Sequence, residues 1–324
     1  MAVTNKKIIA VLRGGPSSEH HASLLSGKTV LEYLDKEKYI PIDIFINKKG
    51  EWHCDGIVES PYSILQFVDI VFNGLHGEYG ENGEVQKLLE LFNKPYTGSD
   101  GFAGEVAIDK HTTKLFLKNS GILMPKSHVF RPSTKETDKK LAEVWRAYGH
   151  DLVVKPLATG SSVGIKIPKN FNDLLQAVKI ILDAGHSALV EERIFGREVS
   201  VSVIQDFRGK KEYVAIPTSI KYDAEYFDAL TKKSGQYHLD NMAQFSKVDR
   251  ELVGHISRHI YKTLELKHYA RINFMVSGKG IYFLEVNTLP GLTDHSIFPF
   301  ALKESGISVK DFLTHVIELA GDGK

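Results

Sequence analysis

Cysteine is almost absent from this chain: there is one, Cys54, in 324 residues. A single thiol excludes an intrachain disulfide and any zinc cluster built on cysteines. Cys54 lies in the polar run Trp52-His53-Cys54-Asp55, which reads as the setting of an incidental thiol. No apolar run approaches the ~20 residues that a membrane-spanning helix needs. Met1-Ala-Val-Thr-Asn-Lys-Lys passes at once into a strand-like segment at 8–12, without a signal peptide's longer apolar core, so a cytoplasmic protein is expected. Excess charge is also missing. Lys and Arg number 41 against 40 Asp and Glu, and a net charge of +1 gives no electrostatic reason to bind nucleic acid or an anionic membrane. Two nucleotide signatures are absent as well, G-x-G-x-x-G and G-x-x-x-x-G-K-[ST], and no internal repeat or low-complexity segment occurs. What remains is a composition 42% hydrophobic and 25% charged, suited to a globular protein of two or three domains acting on small molecules.

The apolar pattern then gives an α/β class. Short apolar runs at 8–12, 39–46 and 68–72 alternate with helical patterns at 24–34 and 85–92, the signature of a parallel layer. Helices are expected at 110–119, 136–148, 171–182, 253–264 and 312–319. Strands are expected at 188–191, 199–204, 213–220, 269–276 and 281–287, and a two-strand hairpin at 151–167. The stretch 223–242 has little periodicity and reads as a long loop of the kind that often serves as a lid.

Polar motifs punctuate this pattern. Two glycine-rich turns, Arg13-Gly14-Gly15-Pro16-Ser17-Ser18-Glu19-His20 and Leu75-His76-Gly77 with Gly80 and Gly83, follow strands, where open α/β sheets bind ligands. Lys155 leaves a strand for the small-residue loop Gly160-Ser161-Ser162, whose N–H groups and hydroxyls can make an anion nest. Glu191 and Glu198 flank a glycine and suit either an adenine amino group and a ribose or a solvated rim with Arg193 and Arg197. Glu285 and Asn287 share one strand face, as do Arg271 and Asn273, so antiparallel pairing would gather four polar heads. A carboxylate and an amide oxygen on one face suit a hard cation such as magnesium. Alone, an E-x-N pair reads as an exposed polar edge; beyond it Pro290-Gly291 makes a tight turn, and Thr293 and Ser296 add hydroxyls.

In collinear order, from about residue 8 to about residue 306, these pieces resemble the D-alanine–D-alanine ligases of the ATP-grasp superfamily. The matches are Gly14-Gly15-x-x-Ser18-Glu19-His20, Leu75-His76-Gly77 with Gly80-Glu81-x-Gly83 and Gln86, Pro95-Tyr96-x-Gly98-Ser99, Asp109-Lys110, Lys155-Pro156 with Gly160-Ser161-Ser162-x-Gly164, and Glu285-x-Asn287-Thr288-x-Pro290-Gly291-x-Thr293-x-x-Ser296. The resemblance implies a three-domain ATP-grasp fold: an N-terminal parallel α/β domain over 1–104, a central domain over 105–193 and a C-terminal domain over 194–324. It implies a peptidoglycan-precursor enzyme that uses ATP and magnesium (or manganese) to join two D-alanines through an acyl phosphate, as a homodimer. Lys110, Lys155 and Lys232 would hold ATP phosphates, with Ser161 and Ser162 in the loop above them. Glu191 would take the adenine amino group, the backbone near Ile194 the ring and Glu198 the ribose. Asn273, Glu285 and Asn287 would ligate the metal. Glu19, aided by His76, would pair with the first ammonium, Ser296 would receive the second carboxylate, and Arg271 with the Gly291 N–H would form an oxyanion hole.

Departures from the family pattern bear on rate and substrate. Asn273 stands where the family has a magnesium-ligating aspartate, so the metal site is expected to hold one fewer negative charge. Lys233 stands where a tyrosine covers the second-substrate site. His21-Ala22 replaces an acidic or polar residue and a valine, and Asn82 an aspartate. A second substrate that is a D-hydroxy acid or another D-amino acid is the alternative that Lys233 raises, and a weakly active nucleotide-binding paralogue is the alternative that Asn273 raises.

Overall fold

Three sheets partition the chain in the computed structural model, which describes residues 6–158, 164–222, 237–242 and 244–323. The first has the order β4-β3-β2-β1-β5. Its centre is β1 (Lys7–Gly14), parallel to β2 (Tyr39–Ile46) on one side and to β5 (Ile70–Asn73) on the other. Ile9 to Leu12 are fully buried, as expected for a parallel strand covered on both faces. The layer is not wholly parallel. A hairpin of β3 (Trp52–Cys54) and β4 (Ile57–Glu59) extends it antiparallel and puts Trp52 and Cys54 in the core beside Ile44 and Ile46. The thiol expected in polar surroundings is therefore buried. Gly14 ends β1 at φ +94°, where a Cβ would lie 2.3 Å from the Ile46 carbonyl oxygen, so the ligand-facing turn can start only with glycine. Helices α1 (His20–Tyr33), α2 (Pro61–Leu65) and α3 (Glu84–Leu91) accompany this sheet.

Helices α4 (Gly101–Ile108) and α5 (Lys110–Leu117) lead into a small antiparallel sheet, β6-β8-β7, of β6 (Ser127–Phe130), β7 (Leu152–Pro156) and β8 (Ala188–Glu192). Asp109 caps α5, its carboxylate accepting the Thr112 N–H at 2.7 Å, and so fixes where Lys110 begins the helix. The expected partner of β7 at 165–167 reduces to one bridge, Val154 with Lys166. Amphipathic α6 (Thr137–Tyr148) and α7 (Phe171–Asp183) give this sheet its own core, including Leu141, Leu174, Val178 and Val190.

The large sheet has the order β12-β11-β9-β13-β14, with β10 also on β9: β9 (Arg197–Phe207), β10 (Lys210–Val214), β11 (Thr218–Tyr222), β12 (Tyr237–Asp240), β13 (Tyr269–Ser277) and β14 (Gly280–Asn287). The single strand expected at 213–220 is interrupted at Ala215-Ile216-Pro217, because proline has no N–H to give a ladder. Part of the expected long loop is β12, paired with β11; residues 223–236 lie outside the described residues. Helix α8 (Lys247–Thr263) starts six residues before the expected position, its first turn capped by Ser246.

The closing helices, α9 (Ile297–Glu304) and α10 (Val309–Gly321), join the first sheet to the large one. Phe298 and Phe312 meet Tyr269 of β13 and each other in tilted and edge-to-face contacts, their ring centroids 5.1–5.8 Å apart, in a core that also holds Ile9, Val11 and Phe72. Truncating either fully buried phenylalanine would cost ~3–5 kcal/mol. The first and large sheets thus share a core, whereas the small sheet has its own. The space between the small and large sheets remains a cleft.

Candidate active site

The strand pair β13/β14 pairs as its sequence parity predicts. Arg271 lies opposite Asn287 and Asn273 opposite Glu285, with a register shift just after Asn273. Ile281, Phe283 and Val286 of β14 are buried in the core, leaving Glu285 and Asn287 for the other face. Glu285 has a lysine and an amide beside it: Lys110 Nζ is 3.5 Å from Oε2, and Asn273 Nδ2 donates to Oε1 at 3.2 Å. Ser200, opposite Asn273 on β9, donates its hydroxyl to Asn273 Oδ1 at 2.9 Å. Asn273, expected as a metal ligand, is buried beside Glu285 with both amide atoms hydrogen-bonded. Asn287 Nδ2 and Arg271 Nε are buried with no hydrogen-bond partner among the described residues. Burial works against the Arg271 charge, and Glu285, Glu198, Glu81 and Glu19 work for it.

A cleft of about 590 Å³ opens between the small and large sheets. Val153, Ile165, Ile167, Met275 and Leu284 give it apolar walls. Lys155, Glu191, Ile194, Glu198, Asn273 and Glu285, all singled out in the sequence, also line it. Such an apolar slot with a few convergent polar groups is the usual form of a small-molecule site. Glu191 is held on both sides: Lys155 Nζ is 2.6 Å from Oε2, and Lys114 Nζ is bonded to Oε1. Lys114 also donates to the Pro125 carbonyl at 3.0 Å. The two ammoniums hold the Glu191 carboxyl below its ordinary range despite burial. Its partners are lysines and not the arginines of a solvated rim; Arg197 donates instead to Gln244 at 3.1 Å. Ser161, Ser162, Lys232 and Lys233 lie outside the described residues.

On the side of the first sheet, Glu19 Oε2 lies so close to Gly77 that a Cβ there would meet it at 2.8 Å. His76 and Glu81 are buried beside it. Burial pushes the His76 imidazole down, toward its neutral form. The Leu292 N–H donates to Ser26 Oγ at 3.1 Å, so the Ser26 hydroxyl can donate to His76 Nε2 at 2.7 Å. His76 Nδ1 lies 4.0 Å from Glu81 Oε1. Glu81 accepts the Gly77 N–H at 3.1 Å, yet desolvation and the charge of Glu19 push its carboxyl from 4.5 up to about 8. Beyond β14, Gly291 packs against Ser296, whose hydroxyl bonds that of Thr293 at 2.7 Å and makes no cap bond, although Ser296 is the N-cap of α9. The N–H groups of that first turn remain suited to an anion.

Lys114, Glu81, Ser26 and Ser200 hold these groups and were given no role from sequence. Glu81 sat in a quoted motif, which was a usable signal. Lys114 gave none, since a lysine in an amphipathic helix reads as solvated.

The chain resembles known proteins in sequence and in fold. The family described as D-ala D-ala ligase C-terminus matches residues 116–318, and that described as D-ala D-ala ligase N-terminus matches 8–64 and 57–99. A D-alanine--D-alanine ligase from Aquifex aeolicus is 37% identical over 95% of this chain and 99% of its own length. The VanG D-Ala:D-Ser ligase of Enterococcus faecalis superposes with a TM-score of 0.83 at 27% identity, over 98% of this chain and 100% of that one. A D-alanine--D-alanine ligase from Bacillus anthracis complexed with ATP superposes with a TM-score of 0.79 at 27% identity, over 98% of each chain. With one family covering residues 116–318 and a relative this similar over nearly its whole length, the chain belongs to the D-alanine–D-alanine ligase family.

Proposed function

We propose that this protein joins two D-alanines into D-alanyl-D-alanine at the expense of ATP, for peptidoglycan precursors, in the cytoplasm and as a homodimer. The observation that carries the reading is the meeting of Lys155, Glu191, Glu198 and Glu285 around one cleft with apolar walls. We take the three sheets as three domains, with boundaries at 1–104, 105–193 and 194–324. Lys110 and Lys155 would hold the nucleotide phosphates, together with Lys232 and the serines Ser161 and Ser162; Ile194 would meet the base and Glu198 the ribose.

A hard cation, magnesium or manganese, suits the donor set. Glu285 offers a carboxylate, and the Asn287 amide nitrogen has no partner among the described residues, so its oxygen can turn to a ligand. Bound there, the ion would neutralise charge on the phosphates. Asn273 would steady Glu285 and contribute no charge of its own.

The first D-alanine, its ammonium at Glu19 near His76, would attack the γ-phosphorus with its carboxylate, giving ADP and an acyl phosphate. The amine of the second, its carboxylate at Ser296 and the first turn of α9, would attack the acyl carbon and expel phosphate. Arg271 would meet the oxyanion together with the Gly291 N–H, a contribution of ~3 kcal/mol per donor. No covalent enzyme intermediate is needed.

Lys233 favours a second reading, a different second substrate. Phosphate release by purified protein with ATP and magnesium, given D-alanine alone or with D-serine or D-lactate, separates the two. Release with D-alanine alone supports the first reading, release only with a second compound replaces it by the other, and no release sinks both. In the same assay Glu285→Ala is expected to abolish turnover. Asn273→Asp is expected to lower the magnesium requirement; an unchanged magnesium response overturns the metal assignment.

A further inference from the structure

Each oxygen of Glu191 already has a lysine on it, and with its side chain only 4% exposed little of either oxygen is open to an adenine amino group unless a lysine moves. The two lysines are not equivalent. Lys155 stands on β7, diagonal to Glu191 across the ladder, and lines the cleft, so a nucleotide's phosphates can draw it away. Lys114 comes from α5, is anchored by the Pro125 carbonyl and does not line the cleft. We propose that nucleotide binding exchanges partners on Glu191: Lys155 leaves Oε2 for the phosphates, the base amine takes its place, and Lys114 stays as the positioning residue that keeps Glu191 ionised and in place. The inference rests on the nucleotide reading above and deepens it, because base recognition and delivery of Lys155 to the phosphates become one event.

Charge accounting supports the exchange. With both lysines on Glu191, the cluster carries two ammoniums and one carboxylate, all buried. Burial already pushes the Lys114 ammonium down, while Glu191 with Glu285 and Glu198 pushes Lys155 up. Lys155 is therefore the cation with other anions to serve, and transferring it relieves the repulsion between the two ammoniums. Without Lys114, transfer would leave Glu191 a buried anion with no cation, which a protein avoids by taking up a proton. Glu192, Glu198 and Glu285, which also act on the cluster, are anions and cannot replace it; of the cations that line the cleft, Arg197 is bonded to Gln244, Lys221 to Asp240, and Arg193 lies over the Phe195 ring.

The test is steady-state turnover with saturating D-alanine and varied ATP, from pH 6 to 9, for wild type, Lys114→Met and Lys114→Arg. Lys114→Met is expected to raise the ATP KM by at least about thirtyfold, the lower end of the usual cost of unpairing a buried charge. That KM should fall back toward the wild-type value as pH is lowered, because protonated Glu191 needs no cation, whereas Lys114→Arg should stay close to wild type throughout. A merely structural lysine would lower kcat and stability without a pH-dependent ATP KM, and that result overturns the proposal. Should Lys114→Met not fold, Glu191→Gln decides: it frees Lys155, so inorganic triphosphate should inhibit it more strongly than wild type while ATP binds less tightly. Parallel changes for the two ligands overturn the exchange. Absence of any ATP-dependent turnover in wild type would instead remove the functional reading.

Discussion

Two buried carboxyl groups face the proposed site from opposite sides, and burial affects their protons in opposite ways. Glu191, 3% exposed, has Lys155 and Lys114 on its two oxygens and is held below its ordinary range. Glu81, 7% exposed, has one backbone N–H and the nearby charge of Glu19, and is pushed up to about 8. Desolvation is the leading influence on both, and it favours the neutral form of each. The difference is the counter-charge. On the side proposed for the nucleotide, two cations touch the carboxylate; on the side proposed for the amino acids, the charge of Glu19 outweighs that of the more distant Arg271, an arrangement that suits a substrate arriving as an ammonium ion. The small sheet can therefore hold its charges, while burial beside Glu19 favours a proton on Glu81.

The largest test of that contrast removes the carboxylate. Glu191→Ala would leave two buried ammoniums facing each other, a defect of the class that costs ~3–5 kcal/mol. A large fall in Tm at pH 7 is expected, shrinking as pH rises and Lys114, already depressed, releases its proton. An unchanged Tm would mean that the lysines need no partner. The sign also holds for the wild type. A carboxyl with a lowered pKa contributes stability above its unfolded value, and the Glu191 contribution is lost as acid protonates it.

Glu81→Gln should have a smaller effect of the other sign. The folded state holds the Glu81 proton up to about pH 8, while the unfolded chain releases it near 4.5. Between those values the folded state binds more protons, so stability falls as pH rises across the window. Glutamine has nearly the same shape and no proton to lose. Denaturation midpoints of wild type and Glu81→Gln should therefore agree near pH 5 and diverge toward pH 9 in favour of the variant. Parallel midpoints across that range would show Glu81 to be ionised throughout.

How far the sequence made this visible depended on the distance over which each feature was encoded. Strand β2 matched its apolar run, and the parity of Arg271, Asn273, Glu285 and Asn287 was enough to bring them together, because strand side chains alternate whatever the tertiary context. The break at Pro217 was legible in principle from the missing N–H. The β3/β4 hairpin was not, because its strands are only three residues long and the burial of Trp52 and Cys54 comes from the neighbouring β2. Nor was the pairing of Lys114 with Glu191, 77 residues apart in the chain. Asn273 was legible as a residue type but not as a partner of Ser200, which only the β9/β13 register places opposite it.

The smallest effect gives the sharpest control on the first comparison. Lys87 and Glu105 approach to 2.5 Å, closer than Lys155 and Glu191 at 2.6 Å. Their side chains are 59% and 51% exposed, against 10% and 4% for the buried pair. If contact distance set the contribution, the surface pair would matter at least as much. Water screens it, however, and holding two long side chains in one geometry costs entropy, so such pairs contribute ~0–1 kcal/mol. Lys87→Ala should shift the denaturation midpoint by no more than that, and less at high salt, while leaving turnover unchanged. A loss comparable to that of Glu191→Ala would show that proximity rather than burial governs the charges of this fold.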